Sequence, residues 1–190
     1  MRSTLFAVPS VLCLPFIASA QSELVLDHAN TRAFNRALGV ECTHCHVQDR
    51  WKDETKPAFA TARNMLRMVQ TLNDKLKGVG QVSCVTCHGA QSRPSRQPRA
   101  ALDEQLARWP AELADAPETQ KVAMATYNIA LGVTCDHCHS NDWKARDKAP
   151  MQKVPLMNSL FNEFPKFMPS TARTQCFMCH KGATKPRTGI

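Results

Sequence analysis

The chain reads Cys42-Thr43-His44-Cys45-His46, and the same Cys-x-x-Cys-His pattern returns at Cys84–His88, Cys135–His139 and Cys176–His180. This pattern is the attachment site of c-type haem. Its two thiols add across the haem vinyl groups as thioethers, and its histidine becomes the proximal ligand of the iron. The sequence therefore predicts four covalently bound haem c groups, whose chemistry is the movement of single electrons.

The predicted haem-binding residues form two sets, and we expect no catalytic residue besides them. The attachment residues are Cys42, Cys45, Cys84, Cys87, Cys135, Cys138, Cys176 and Cys179. The proximal iron ligands are His46, His88, His139 and His180.

Zinc sites, redox-active dithiols and disulfide frameworks also use Cys-x-x-Cys pairs, but none of them requires a histidine directly after the second cysteine. Histidine accounts for 7 of the 190 residues. Four such coincidences have a chance probability on the order of 10⁻⁶, which favours haem over zinc. The pattern uses eight of the nine cysteines, and the ninth, Cys13, lies in a segment that we expect to be removed.

Residues 1–20 are typical of a secretory signal peptide. Arg2 supplies the charged start, Leu5–Ile17 the apolar stretch, and Ala18-Ser19-Ala20 the cleavage site. The apolar stretch is short and interrupted by proline, which argues against a permanent membrane span. We therefore expect an exported protein, periplasmic or extracellular, that is either free in solution or part of a peripheral membrane complex.

The formal net charge of +8 at pH 7 has a simple explanation. A basic chain can bind nucleic acid or an anionic membrane. Four haems, however, carry two propionates each, and this negative charge is about what the basic excess neutralises. Several basic residues follow the haem motifs, where they can serve as propionate partners or form a solvated basic tail. These residues are Arg93, Arg96, Arg99, Lys181, Lys185 and Arg187. We expect no nucleic-acid partner.

The chain contains an internal duplication. Phe34–Cys42 matches Tyr127–Cys135 at an offset of 93 residues, and Cys84 matches Cys176 at an offset of 92. Each half is thus a two-haem unit, and we expect a pseudo-two-fold relation between residues 32–90 and 125–182. The predicted divisions are a signal peptide at 1–20, a two-haem module at 21–90, a linker at 91–116 and a second two-haem module at 117–190.

The expected fold class is mainly α, a multihaem cytochrome c with two pseudo-symmetric helix–turn–Cys-x-x-Cys-His modules around a haem core. Apolar residues at helical spacing predict four helices. Their expected extents are 22–38 with a cap at Gly39, Pro57 to Gly78, Pro117 to Gly132, and about 151–161. Within the linker, residues 91–108 are rich in Pro, Arg and Ser, which favours disorder or an exposed basic patch.

Histidine is too scarce to supply every distal iron ligand. Four proximal histidines leave His28, His44 and His137, whereas four bis-histidine haems need eight histidines. At least one haem must use another ligand or keep an open position. We expect His28 to be the distal ligand of the odd haem. His44 and His137 lie inside motif loops, where they are surface residues or neighbours of a ligand unless one reaches another haem.

Methionine can supply the remaining distal ligands. Met65 lies 19 residues before the second motif, Met157 lies 19 residues before the fourth, and Met124 lies 11 residues before the third. The identical offsets favour ligation at Met65 and Met157, and the position of Met124 on the predicted helix that runs into the third motif favours ligation there. Methionine at helical spacing also fills cores, and this is the interpretation we adopt for Met68 and Met151.

Residues 23 to 190 resemble the tetrahaem cytochrome c subunit of photosynthetic reaction centres. The resemblance rests on a helix with Met followed by Leu-Gly-Val-x-Cys-x-x-Cys-His. Lys56-Pro57 followed by Ala62–Met68 is also similar to small relatives in non-photosynthetic bacteria. In that family, three haems take Met from the preceding helix and one takes His from elsewhere, which implies ligation by Met65 and Met124. This chain is shorter and departs from the family in lacking the helix Met before its first haem and having Met157 before its fourth.

The leading functional hypothesis is an electron carrier, not an enzyme, that passes single electrons between donor and acceptor redox proteins. Two alternatives remain open. One is a multihaem reductase with an open haem iron, favoured by the missing Met before the first motif. The other is a homo-oligomer or extracellular filament of stacked haems, in which His28 ligates an iron in the next subunit.

Overall fold

The computed structural model describes residues 28–169 and 175–187, and this part of the chain is mainly helical without a β-strand. The mainly α prediction is therefore confirmed. The helices are α1 His28–Leu38, α2 Pro57–Lys75, α3 Cys84–His88, α4 Arg99–Ala107, α5 Glu118–Leu131, α6 Ala149–Gln152, α7 Val154–Phe161 and α8 Phe177–His180. Short 3₁₀ turns cover Cys42–His44, Ala111–Leu113, Cys135–His137 and Phe164–Lys166. The predicted signal peptide, the start of the first predicted helix and the side chain of His28 lie outside the described residues.

Proline and glycine set the helix boundaries largely where the sequence predicts them. Pro57 occupies the first turn of α2, and Pro117 immediately precedes α5. Proline suits these positions because the first helical N–H groups have no partner within the helix. Gly132 ends α5 in the left-handed conformation with φ +65°, and Gly39 follows α1 with φ +62°.

Two regions differ from the sequence prediction. The fourth predicted helix is divided into α6 and α7, because Pro155 occupies the first turn of α7 and cannot donate a helical hydrogen bond. The predicted linker contains helix α4, so of the two expectations for residues 91–108, disorder was wrong for α4, whereas Arg93, Arg96 and Arg99 are exposed, as a basic patch requires. Arg99 pairs with Asp103 at 3.0 Å across one helical turn, and α4 packs against α5.

The short helices that contain the second and fourth motifs occupy the centre of the packing. Helix α1 packs against α3, α5 packs against α8, and α3 and α8 contact each other. The second and fourth motifs are therefore neighbours, whereas the first and third follow the helices packed on either side of them. We call the second and fourth motifs the inner motifs and the first and third the outer motifs. Of the helices in the described ranges, none is long and apolar enough to span a bilayer.

The apolar core is small. Met68, Leu72 and Phe164 form a buried cluster, with 6%, 3% and 7% of their surfaces exposed. Among the described side chains, Thr86 is the largest that is almost completely enclosed. A chain of this length normally buries a larger apolar interior, so the small core fits a protein whose cofactors supply much of its apolar mass.

An ion-pair network ties the end of α2 to the turn after α7. The Glu163 carboxylate accepts hydrogen bonds from Lys166 at 2.7 Å and from Lys75 at 3.2 Å. These two bonds, first that of Lys166, lower the pKa of Glu163. The pair between Glu163 and Lys75 connects the two halves of the chain beside the apolar cluster.

The two halves share an equivalent tertiary contact between backbone groups. The Ala90 N–H donates to the Ala37 carbonyl at 2.9 Å, and the Gly182 N–H donates to the Ala130 carbonyl at 2.8 Å. In both halves, the helix before the outer motif is bonded to the turn after the inner motif. These bonds fix the distance between the two motifs of each half.

Candidate haem sites

The backbone of each motif explains its spacing. In the first motif, the His46 N–H donates to the Cys42 carbonyl at 3.0 Å, and the third motif has the same bond between His139 and Cys135 at 3.0 Å. The second and fourth motifs form the helical turns α3 and α8. Residues three and four apart share one face of such a turn. The two thiols and the imidazole of a motif can therefore approach one ligand together.

Each motif histidine uses its Nδ1 atom for a bond to a backbone carbonyl that follows it. The bonds are His46 to Trp51 at 2.8 Å, His88 to Gln91 at 2.9 Å, His139 to Trp143 at 3.1 Å and His180 to Ala183 at 3.0 Å. A carbonyl oxygen only accepts, so Nδ1 must carry the proton. The Nε2 lone pair then remains for a metal, and the bond fixes the tautomer of the ligand.

Burial favours the neutral form of the inner histidines. Desolvation lowers the pKa of His88 and His180, although their hydrogen bonds to backbone carbonyls act in the opposite direction. Only a neutral imidazole can donate its lone pair to a metal. The environment of the second and fourth motifs thus favours the protonation state that iron ligation needs.

Aromatic rings contact the outer histidines. Phe59 meets the His46 ring edge to face, with 5.3 Å between ring centroids, and Trp51 lies at 6.3 Å. Trp143 lies 5.5 Å from His139. The backbone carbonyls of Trp51 and Trp143 also accept the Nδ1 hydrogen bonds of these histidines. Each outer imidazole therefore contacts one tryptophan through both its ring and its backbone.

Two asparagines that the sequence analysis did not single out contact the first cysteine of an outer motif. The Asn35 amide donates to the Cys42 sulfur at 3.0 Å, and the Asn128 amide to the Cys135 sulfur at 3.5 Å. Both asparagines occupy the same position in the repeated segment, and this identity was the signal that could have found them.

Two lysines were missed in the same way. The Lys56 ammonium donates to the Thr43 carbonyl, and the Lys148 ammonium donates to the Asp136 carbonyl. Both acceptors lie between the two cysteines of an outer motif. The lysines are 92 residues apart, which is the offset of the repeat.

The second motif is fixed by neutral side chains. Asn73 of α2 bonds both backbone groups of Val82, accepting from its N–H at 2.7 Å and donating to its carbonyl at 3.0 Å. Ser83 and Thr86 then form a reciprocal cap at the start of α3. The chain thus enters the second motif in a conformation set by α2.

The two inner motifs meet at equivalent cysteines. The Cys87 and Cys179 sulfurs are 2.8 Å apart, and these residues are repeat equivalents. Contact with Cys87, together with burial, raises the pKa of Cys179. The second and fourth attachment sites are therefore adjacent at their second cysteines.

The predicted methionine ligands lie on helices and are partly buried. Met65 on α2 packs against the cluster of Met68, Leu72 and Phe164, and the interpretation of Met68 as a core residue agrees with its burial. Met124 lies on α5 and Met157 on α7. Their ligation remains a prediction. Of the other histidines, His44 is exposed and His137 is partly buried.

The donor groups fit covalent haem. All eight motif cysteines are free thiols, and each pair is followed by an imidazole with an available Nε2. A structural zinc site needs four ligands around one ion. In the part of the chain that the structure describes, no three His, Cys, Asp or Glu side chains are grouped so as to hold a metal ion.

Comparison with known families agrees with these features. The model of the photosynthetic reaction centre cytochrome C subunit family matches residues 31–111, which supports the resemblance found in the sequence. Similarity to this family implies covalently bound haem c and points to a multihaem cytochrome involved in electron transfer. The match covers the first two motifs and α4. Several contacts of the first half recur in the second, among them the bonds from Asn35 and Asn128 and those from Lys56 and Lys148. No curated protein matches the chain significantly.

Proposed function

We propose that the protein is a tetrahaem c-type cytochrome that carries single electrons between a donor and an acceptor redox protein outside the cytoplasm. Haem c, when bound, supplies one-electron oxidation and reduction. The observation that carries the proposal is the common arrangement of the four motif histidines, each with Nδ1 bonded to a carbonyl and Nε2 available. The match of the first half to a reaction-centre cytochrome family supports it.

The roles of the protein's residues follow from this proposal. The eight motif cysteines anchor the haems, and His46, His88, His139 and His180 hold the irons on the proximal side. Met65, Met124 and Met157 are the proposed distal ligands, and His28 serves the odd haem. The clamp between Asn73 and Val82 supports the role of Met65, because it fixes the helix that carries this methionine to the start of the second motif.

The proposed architecture is a pseudo-two-fold pair of modules. The backbone bonds from Ala90 and Gly182 occupy equivalent places in the two halves. The contact between Cys87 and Cys179 joins two equivalent residues, as expected where a two-fold axis passes between modules. In this arrangement, the motifs are ordered first, second, fourth and third, which would let electrons enter at one outer motif and leave at the other.

The compartment follows from the sequence. Covalent haem attachment outside the cytoplasm requires export, for which residues 1–20 are the proposed signal peptide. The propionates of four haems would compensate the formal charge of +8. The basic charge then needs no nucleic-acid partner, and the proposed partners are redox proteins.

Intact-mass measurement tests the haem count. The mature protein, produced with the haem-attachment machinery, should exceed its polypeptide mass by four haems and keep its haem colour after acid denaturation. The double variant Cys135→Ala/Cys138→Ala should lose one haem, whereas Cys13→Ala should keep all four. A mass that shows bound zinc, or no adduct at all, would rule out the cytochrome.

Redox titration followed optically tests the distal ligands. Replacing Met65, Met124 or Met157 by His should lower one titration step and keep that haem low-spin, because imidazole is the stronger donor to ferric iron. Met68→Leu is the matched control on α2 and should leave all four steps in place. If Met65→His behaves like this control, Met65 is not a ligand.

The odd haem has its own test. His28→Ala should produce a high-spin haem that binds added ligands. A spectrum that stays low-spin in isolated monomers would exclude His28 as an intramolecular ligand.

A further inference from the structure

Each outer motif is bonded to a lysine from the segment that follows it. The Lys56 ammonium donates to the carbonyl of Thr43, and the Lys148 ammonium to that of Asp136. Both lysine side chains are partly buried. The bonds cross 13 and 12 residues of chain, so they depend on the tertiary structure of each half.

The positive charges are held at the haem-attachment loops. Thr43 and Asp136, whose carbonyls accept the lysine bonds, each directly follow the first cysteine of their motif. Each ammonium group is therefore fixed to the loop whose two cysteines would join the haem of the first or third motif.

The loops of the inner motifs are held by neutral groups instead. Ser83 and Thr86 cap the second motif, and the Gln175 N–H bonds the Met178 sulfur at 3.3 Å in the fourth. Lys181 lies beside the inner motifs, where its ammonium approaches Gly89. A cation bonded to the loop carbonyl between the two cysteines is thus a shared feature of the outer motifs.

We propose that Lys56 and Lys148 hold a positive charge against the outer attachment loops and thereby raise the reduction potentials of the haems bound there. This inference rests on the proposed four-haem function. Reduction adds an electron, and a nearby cation stabilises the reduced form. At an effective dielectric constant of about 20, a unit positive charge about 12 Å from the added electron changes the equilibrium constant of reduction about tenfold.

The chain offers matched controls for a test by redox titration. Lys52 and Lys144 are exposed lysines of the same two segments, and they too are repeat equivalents. The test compares Lys56→Gln and Lys148→Gln with Lys52→Gln and Lys144→Gln. Glutamine keeps a hydrogen-bond donor but removes the charge, whereas Lys56→Arg keeps the charge and changes the shape of the donor.

The expected result is a selective fall in one potential per variant. Lys56→Gln should lower the reduction equilibrium constant of one haem about tenfold, which is about 59 mV for one electron. Lys148→Gln should act on a different haem by a similar factor, because Lys148 makes the equivalent bond in the third motif. Lys56→Arg and both controls should stay within about threefold of the parent protein, and all spectra should remain low-spin.

Two outcomes would overturn the inference. One is a Lys56→Gln titration that coincides with that of Lys52→Gln, and the other is a Lys56→Arg shift as large as that of Lys56→Gln. The mass of each variant separates these outcomes from a failure of the proposed function. A parent protein without four haems refutes the proposed function, whereas variants with four haems and unchanged potentials refute the lysine role alone.

Discussion

Replacing Gly39 by alanine should loosen the link between the two motifs of the first half. Gly39 has φ +62°, and a Cβ atom built on it would lie 2.2 Å from the Ala90 carbonyl oxygen. Gly132 has the same surroundings in the second half, with φ +65° and a distance of 2.2 Å to the Gly182 carbonyl oxygen. Alanine at either position is therefore both strained and too close to the backbone.

The magnitude follows from two contributions. A left-handed backbone conformation costs a non-glycine residue about 1–2 kcal/mol. Real Cβ atoms essentially never approach a heavy atom within 3.0 Å, so the turn that contains Ala90 must move away, and such overpacking costs about 1–3 kcal/mol. We expect Gly39→Ala to lower the free energy of unfolding by about 2–5 kcal/mol.

Two other glycines provide matched controls. Gly78 has φ +80° and nothing within 4 Å of its built Cβ, so Gly78→Ala isolates the backbone strain of about 1–2 kcal/mol. Gly80 is equally open and has no positive φ. Gly80→Ala should be neutral or slightly stabilising.

Guanidinium unfolding of the haem-loaded proteins, followed by far-ultraviolet circular dichroism, measures the differences. The expected order of stability is Gly80→Ala, then Gly78→Ala, then Gly39→Ala. Equal midpoints for Gly78→Ala and Gly39→Ala would show that α1 does not approach the turn after the second motif as closely as described. The reasoning about motif spacing would then fail.

Two further changes test contacts of α2. Asn73→Ala removes both bonds to Val82, so it should lower the free energy of unfolding by about 1–3 kcal/mol and speed hydrogen exchange at the Val82 amide. The control Asn64→Ala, on the exposed side of α2, should do neither. Equal exchange rates in the two variants would contradict the clamp. Glu163→Gln should lower the melting temperature at pH 7, because hydrogen bonds from its two lysine partners hold the pKa of Glu163 below its usual value. A lowered pKa in the folded protein stabilises above the pKa of the unfolded chain and is lost as pH falls. The difference between the melting temperatures of the parent protein and Glu163→Gln should therefore begin to shrink as the pH falls through about 4 and disappear only below the lowered pKa of folded Glu163. A difference that does not shrink as the pH falls would exclude the carboxylate as its cause.

Local signals were sufficient to predict the fold class, the start of α2 and the end of α5. Pro57 and Gly132 act through their own backbone restrictions, so their effect can be read without the tertiary structure. Helix α4 was missed because the prolines of residues 91–98 dominated the interpretation of the whole linker. The following Ala and Leu residues are strong helix formers, and packing against α5 supports them.

The contacts around the motifs could be predicted only in part. The four Cys-x-x-Cys-His patterns predict haem attachment because the chemistry needs these residue types in this order. The bonds from Asn73 and Lys56 to distant backbone groups depend on where folding places those groups, and no local pattern specifies that. Duplication is the remaining signal, because a side chain kept at the same offset in both halves, such as Lys56 and Lys148, has the same backbone neighbours in each.

One difference between the two halves fits the proposed two-fold relation. Residues far from the axis are separated from their equivalents, so both halves can keep the same side chain, as they do at Lys56 and Lys148. Residues beside the axis face their own equivalents. Gly89 and Lys181 are such a pair, and the Lys181 ammonium approaches the space that a side chain on Gly89 would occupy. A lysine in both places would bring two like charges together in a crowded contact, so the pair has one large cation and one residue without a side chain. The inner motifs can then pack closely enough for Cys87 and Cys179 to touch.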